Sequence, residues 1–229
     1  MNSFKSSETI WIFGGSFDPP HKGHQIAAQG ALENPGAKEI WMMPSASPPL
    51  KTAPTPEYHR YEMSRLAFEN LDSRIKVSDF EIKRQDQNPS YTLKTLKALK
   101  PQIPHLGFMM GSDQLLQFEK WHGFPELFDL CHWCILLRKN DEEKGLIPHL
   151  YERLSKWVQQ GFLSKKGPHS YSSRSGKQFI LVPTPAQALS STSVRETIEI
   201  TGHVPVEEIP SEVQRYLKSH QLYGTKEIL

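Results

Sequence analysis

The feature that most narrows the folds open to this chain is an alternation. Six short apolar runs, 9–13 (TIWIF), 39–44 (EIWMMP), 75–80 (IKVSDF), 105–111 (HLGFMMG), 132–137 (HWCILL) and 178–183 (QFILVP), are separated by stretches with helical spacing. Runs of this length read as buried strands, and parallel strands need a crossover, usually a helix, to join them. The expected fold is therefore α/β: a Rossmann-like, doubly wound parallel sheet. Helices are predicted near 22–33, 57–70, 91–99, 123–129 and 146–160. Two more, near 191–200 and 206–219, make residues 190–229 a small C-terminal helical part.

The 229 residues suffice for a real interior, so 1–229 is expected to be a single domain. Charged residues make up 23% and hydrophobic ones 37%, the balance of an ordinary globular enzyme or binding protein. A net charge of +2 argues against a broad nucleic-acid face and leaves small anions as partners. The early apolar run Ile10–Phe13 is too short for a signal-peptide core. No later segment nears the roughly 18 apolar residues of a membrane span, so a cytoplasmic protein without a membrane partner is expected. Residues 161–177, GFLSKKGPHSYSSRSGK, are basic, rich in Ser and Gly and aperiodic, and read as an exposed loop. Cys131 and Cys134 form a C-x-x-C pattern that could be redox-active or half a zinc site. A strand through them would turn the two thiols to opposite faces, roughly 10 Å apart, and no second pair exists, so they read as structural.

The stretch directly behind the first run, IFGGSFDPPHKGH (12–24), carries the chemistry. In a parallel α/β sheet the first strand-to-helix turn is the usual place for phosphate. Gly14 and Gly15 there can adopt unusual backbone angles and let a ligand approach the main chain. Pro19 and Pro20 stiffen the approach to a helix whose positive end favours anions. His21 and His24, three apart, share its first turn, and both can donate to phosphate oxygens. Two histidines one turn apart can also bind zinc, but there is no clear third ligand and Lys22 between them disfavours a cation, so no metal site is expected.

G-G-S-F-D-P-P-H-x-G-H resembles the H-x-G-H nucleotidyltransferases and, in this longer form, the bacterial nicotinate mononucleotide adenylyltransferases. The resemblance implies that Gly14, Gly15, Ser16, Phe17, His21 and His24 hold ATP. LSSTSVRETI (189–198) resembles the family's second ATP motif and would bring Ser190, Thr192 and Arg195 to the triphosphate. Ser193 and Glu196 also fit a capping box, so the same residues could simply start a helix. MPSASPPLK (43–51) resembles a family loop ending in Pro-Pro-His and a basic residue. That makes Lys51 a phosphate contact or a solvated lysine, with Leu50 in place of the histidine. NPSYTLKTLKAL (88–99) and GSDQLLQFEKWHGFPEL (111–127) resemble the parts that bind the pyridine mononucleotide. By that likeness Ser90, Tyr91 and Thr92 lie near the nicotinate, Trp121 stacks on its ring, Asp113 approaches a ribose hydroxyl, and His122 stands where tyrosine is frequent. Arg138 could face the nucleotide.

The reaction implied is attack by the phosphate of nicotinate mononucleotide on the α-phosphorus of ATP. The second pKa of a phosphate monoester is about 6, so the attacking oxygen is already ionised and no general base is needed. The enzyme must align two anions and compensate charge passing to pyrophosphate, with His21, His24, Lys51 and Arg195 as the catalytic candidates. Mg²⁺ would arrive with ATP. Two other readings are a phosphopantetheine adenylyltransferase, a relative sharing the glycine turn, and a nucleotide-sensing module without chemistry.

Overall fold

The computed structural model describes residues 5–49, 55–84, 89–185 and 189–225. All six expected strands form: β1 (Ile10–Gly15), β2 (Glu39–Pro44), β3 (Ile75–Val77), β4 (Leu106–Gly111), β5 (His132–Leu137) and, after two further strands, β8 (Gln178–Pro183). Their order in the sheet is β3-β2-β1-β4-β5-β8, every pair parallel. The chain runs outward from β1 to β3, then returns to place β4 on the other side of β1. The crevice at the carboxyl ends of β1 and β4 is therefore the topological switch point, where open α/β sheets bind ligands.

Successive side chains along each strand enter opposite faces. Trp11 and Phe13 join one apolar cluster, Ile12 the other; Met109 joins the first, Phe108 and Met110 the second. Helices cover both faces. The first lies under α1 (Lys22–Ala31), α2 (Glu57–Phe68), α7 (Ser191–Thr201) and α8 (Ser211–Ser219). The second lies under α4 (Thr92–Leu99) and α6 (Leu146–Gln159), whose Leu150, Leu154 and Trp157 form a buried stripe at helical spacing. Gly107 leaves room for the Trp11 indole: a Cβ there would lie 2.3 Å from it. Cys131 and Cys134 are fully buried in opposite clusters, and burial pushes both thiols up, as inert structural cysteines require.

The exposed loop expected at 161–177 is corrected. Residues Leu163–Gly167 and Ser170–Ser173 form a hairpin, β6 and β7, added antiparallel beyond β8. Leu163 and Tyr171 anchor it in the core while Ser164, Lys165 and Lys166 stay exposed, and charge on an outer strand discourages further pairing. Other boundaries shift where backbone chemistry intervenes. β3 ends at Val77, and a short helix, α3 (Phe80–Lys83), follows; α5 (Ser112–Leu116) begins directly after β4. The helix expected at 123–129 is only a 3-10 turn, Glu126–Asp129, behind Pro125, and that expected from 206 starts at Ser211 because Pro210 occupies its cap.

Candidate active site

At the switch point the first turn, the start of α4, the segment after β4 and the start of α7 enclose a cavity of about 610 Å³. Gly14 and Gly15 are the last residues of β1, paired with Met43 and Pro44. The unusual backbone angles expected for them are not adopted, since neither has positive φ. Their glycine identity is a matter of space: a Cβ on Gly14 would lie 2.9 Å from the Phe108 ring and one on Gly15 3.1 Å from Phe17. Phe17 carries the strain instead, at φ 47°. Its ring is 2% exposed, packed edge-on beneath His24 at 5.0 Å, so its side chain supports the turn. Ser16, also on the cavity wall, has its carbonyl held by Arg60 Nη1 at 3.0 Å.

His21 and His24 build a reciprocal cap. The His24 backbone N–H donates to His21 Nδ1 at 3.3 Å, and the His21 N–H donates to His24 Nδ1 at 3.2 Å. His21 is thus the N-cap of α1, and the two rings stack with centroids 3.6 Å apart. Because both Nδ1 atoms accept, each neutral ring carries its proton on Nε2. Burial, then the charge of Arg138, lowers the His21 pKa to about 4. At neutral pH His21 is therefore a fixed, uncharged Nε2–H donor.

The opposite wall comes from α7. Ser190, not Ser193, caps it, its Oγ accepting from the N–H groups of Thr192 and Ser193 at 3.2 and 3.4 Å. Ser191 Oγ donates to the Pro19 carbonyl at 2.8 Å, and Arg195 Nη1 donates to that of Asp18 at 2.6 Å. Thr192 Oγ1 accepts from Arg195 Nη2 at 3.4 Å. The two motifs, about 170 positions apart in the chain, are thus one joined wall.

On the far side Ser90 and Ser47 exchange bonds, Ser90 N–H to the Ser47 carbonyl at 2.7 Å and Ser47 N–H to Ser90 Oγ at 3.0 Å. Tyr91 precedes α4, which starts at Thr92 without a side-chain cap. His122 stacks on the Tyr91 ring at 4.4 Å, and the half-buried Trp121 rests edge-on against Phe108 at 6.0 Å. Asp113 Oδ1 lies 3.3 Å from Arg138 Nη2, and the Arg138 N–H donates to Asp141 Oδ2 at 2.7 Å. All of these but Ser47 and Asp141 line the cavity. Lys51 and Leu50 lie outside the described residues. Among the described residues no cluster of three His, Cys, Asp or Glu side chains is placed to hold a metal ion.

Sequence reading missed several supports. Arg60, 1% exposed, donates to the carbonyls of Thr55, Ser16, Ser45 and Ala46, tying the loop after β1 to that after β2. Asp141, 1% exposed, joins Ser112 Oγ at 2.6 Å to the Arg138 turn. Glu81 Oε1 accepts from Thr95 at 2.6 Å beside the start of α4. No sequence pattern marks these three, because each makes at least one of its contacts 14 or more positions away in the chain.

Residues 12–197 match the cytidylyltransferase-like family. A curated relative from Shewanella pealeana, named "Probable nicotinate-nucleotide adenylyltransferase", is 33% identical over 227 residues, covering 93% of this chain and 95% of its own. One of the same name from Clostridium botulinum is 32% identical over 216 residues, covering 93% and 97%. In fold the chain resembles Plasmodium falciparum nicotinic acid mononucleotide adenylyltransferase complexed with NaAD. The TM-score is 0.69 at 20% identity, over 95% of this chain and 98% of that one.

Proposed function

The chain belongs to the cytidylyltransferase-like family and, within it, to the nicotinate-nucleotide adenylyltransferases, and from that premise we propose how it transfers AMP from ATP to nicotinate mononucleotide. The observation that carries the reading is the histidine pair: two Nε2–H donors, fixed in tautomer by their own helix cap, facing one cavity with Arg195 and Arg138.

ATP lies along the joined wall, its triphosphate between the first turn of α1 and the start of α7. Gly14 and Gly15 let the main chain come close, with Ser16 and the backbone of Phe17 beside it. Ser190 and Thr192 supply hydroxyls, and Arg195 and Arg138 supply charge. Lys51, by the motif that it ends, would add a further cation. The mononucleotide occupies the other half. Its ring lies on Trp121, an indole suited to an electron-poor pyridinium. Its carboxylate faces Ser90, Tyr91 and Thr92, where the uncapped start of α4 favours an anion. Asp113 accepts from a ribose hydroxyl, and His122 braces Tyr91.

In the chemical step a phosphate oxygen of the mononucleotide forms a bond to the α-phosphorus while the bond to the bridging oxygen breaks. Pyrophosphate leaves with the electron pair and the dinucleotide remains. His21 and His24 donate to charge as it develops, and no proton need be removed from the nucleophile. Mg²⁺ is carried in on the ATP phosphates, where it would neutralise part of their charge. The cavity residues are chiefly donors to anions rather than a carboxylate cage, which fits a metal brought by substrate.

The test is pyrophosphate release with ATP and Mg²⁺ and each acceptor in turn. Nicotinate mononucleotide is expected to be turned over with a higher kcat/KM than the amide analogue. Preference for phosphopantetheine, or ATP binding without pyrophosphate release, would overturn the reading.

A further inference from the structure

The segment after α8 returns to the histidine turn through Tyr223. After α8 the backbone passes through Gln221 and Tyr223 in the left-handed region, at φ 51° and 59°. Side-chain-bearing residues rarely occupy that region, so the surroundings must hold them there. The consequence is that the Tyr223 hydroxyl donates to Asp18 Oδ1 at 2.5 Å, across 205 positions of sequence. Burial and the neighbouring Asp18 charge raise the Tyr223 pKa, which keeps it a donor.

Asp18 is 1% exposed. Among the described residues its Oδ2 has no hydrogen-bond partner; it lies 3.9 Å from Arg195 Nη1, which spends its bond on the Asp18 carbonyl instead. Asp18 and Arg195 both line the cavity. A buried carboxylate draws strongly on any donor within reach. With one oxygen held by Tyr223, the Asp18 carboxylate stays short of a hydrogen bond to Arg195, at 3.9 Å. Without that hydroxyl neither oxygen would have a hydrogen bond among the described residues, and the Arg195 guanidinium lies within ion-pair distance.

We infer that Tyr223 is a positioning residue for ATP: by holding Asp18 in place it keeps Arg195 available to the triphosphate. The inference rests on the reading of Arg195 as a phosphate contact. Tyr223→Phe removes one oxygen and keeps the ring, and thermal melting checks that Tyr223→Phe, Asp18→Asn and the double variant are folded. Calorimetry with Mg-ATP is expected to show about tenfold weaker binding in Tyr223→Phe, with the KM for nicotinate mononucleotide unchanged. In the Asp18→Asn background, with no carboxylate to capture Arg195, the same substitution is expected to change ATP affinity less than about twofold. Unchanged ATP affinity in Tyr223→Phe, an equal loss in both backgrounds, or equal loss toward both substrates would overturn it. Failure of the functional reading appears separately, as wild-type protein that binds ATP and releases no pyrophosphate, since the affinity ratios are read from binding alone.

Discussion

At the scale of single residues, the histidine pair does two jobs with two nitrogens. Nδ1 closes the helix cap and Nε2 remains the donor, so ring orientation and protonation are set by the fold. His24→Ala is expected to lower kcat by about 10²–10³, the usual cost of losing a donor to developing charge. Steady-state pyrophosphate release checks it, and near-normal turnover would reject the role. Burial of two imidazoles also makes stability depend on pH. His21 and His132 both have pKa values lowered to about 4, chiefly by burial, against 6.5 for the ordinary imidazole. Between about pH 6.5 and 4 the unfolded chain binds protons that the folded one refuses, so stability is full above 6.5 and lost as pH falls toward 4. Melting temperature is expected to fall across that window, and His132→Gln to make the fall less steep. The motif itself was legible because spacing alone displays it. The reason for Gly14 and Gly15 was not, since it lies in two rings that only the fold brings against them, Phe108 of β4 on Gly14 and Phe17 of the same turn on Gly15.

At the scale of elements, buried strands announce themselves as apolar runs, and all six were located, although the one expected over 75–80 ends at Val77. The hairpin β6–β7 was not, because an outer hairpin needs little apolar content: Leu163 and Tyr171 suffice, and the intervening lysines and serines look like a loop. Arg60 was hidden for a similar reason. On a polar helix such as α2 an arginine reads as surface, yet this one is enclosed by four carbonyls from the segments that follow β1 and β2. Arg60→Met would leave those carbonyls short of donors and release the two loops from each other. A loss of about 3–5 kcal/mol in urea unfolding is expected. A change below about 1 kcal/mol would show the loops to be held by other contacts.

At the scale of the molecule, the winding of the sheet makes the site. Reversal of strand order between β1 and β4 opens the crevice, and in the proposed function each half of it receives one anion: ATP on the side of α1 and α7, the mononucleotide on the side of α4 and Trp121. The motifs that line the crevice were readable in the sequence, whereas the stitching of α7 to the first turn through Ser191 and Arg195, and the return of Tyr223, depend on tertiary closure. The central claim is that the triphosphate lies against the two imidazoles. A crystal structure with a non-hydrolysable ATP analogue tests it most directly. Phosphate oxygens within hydrogen-bond reach of Nε2 of both His21 and His24 are expected, and a nucleotide bound away from both rings would contradict the account.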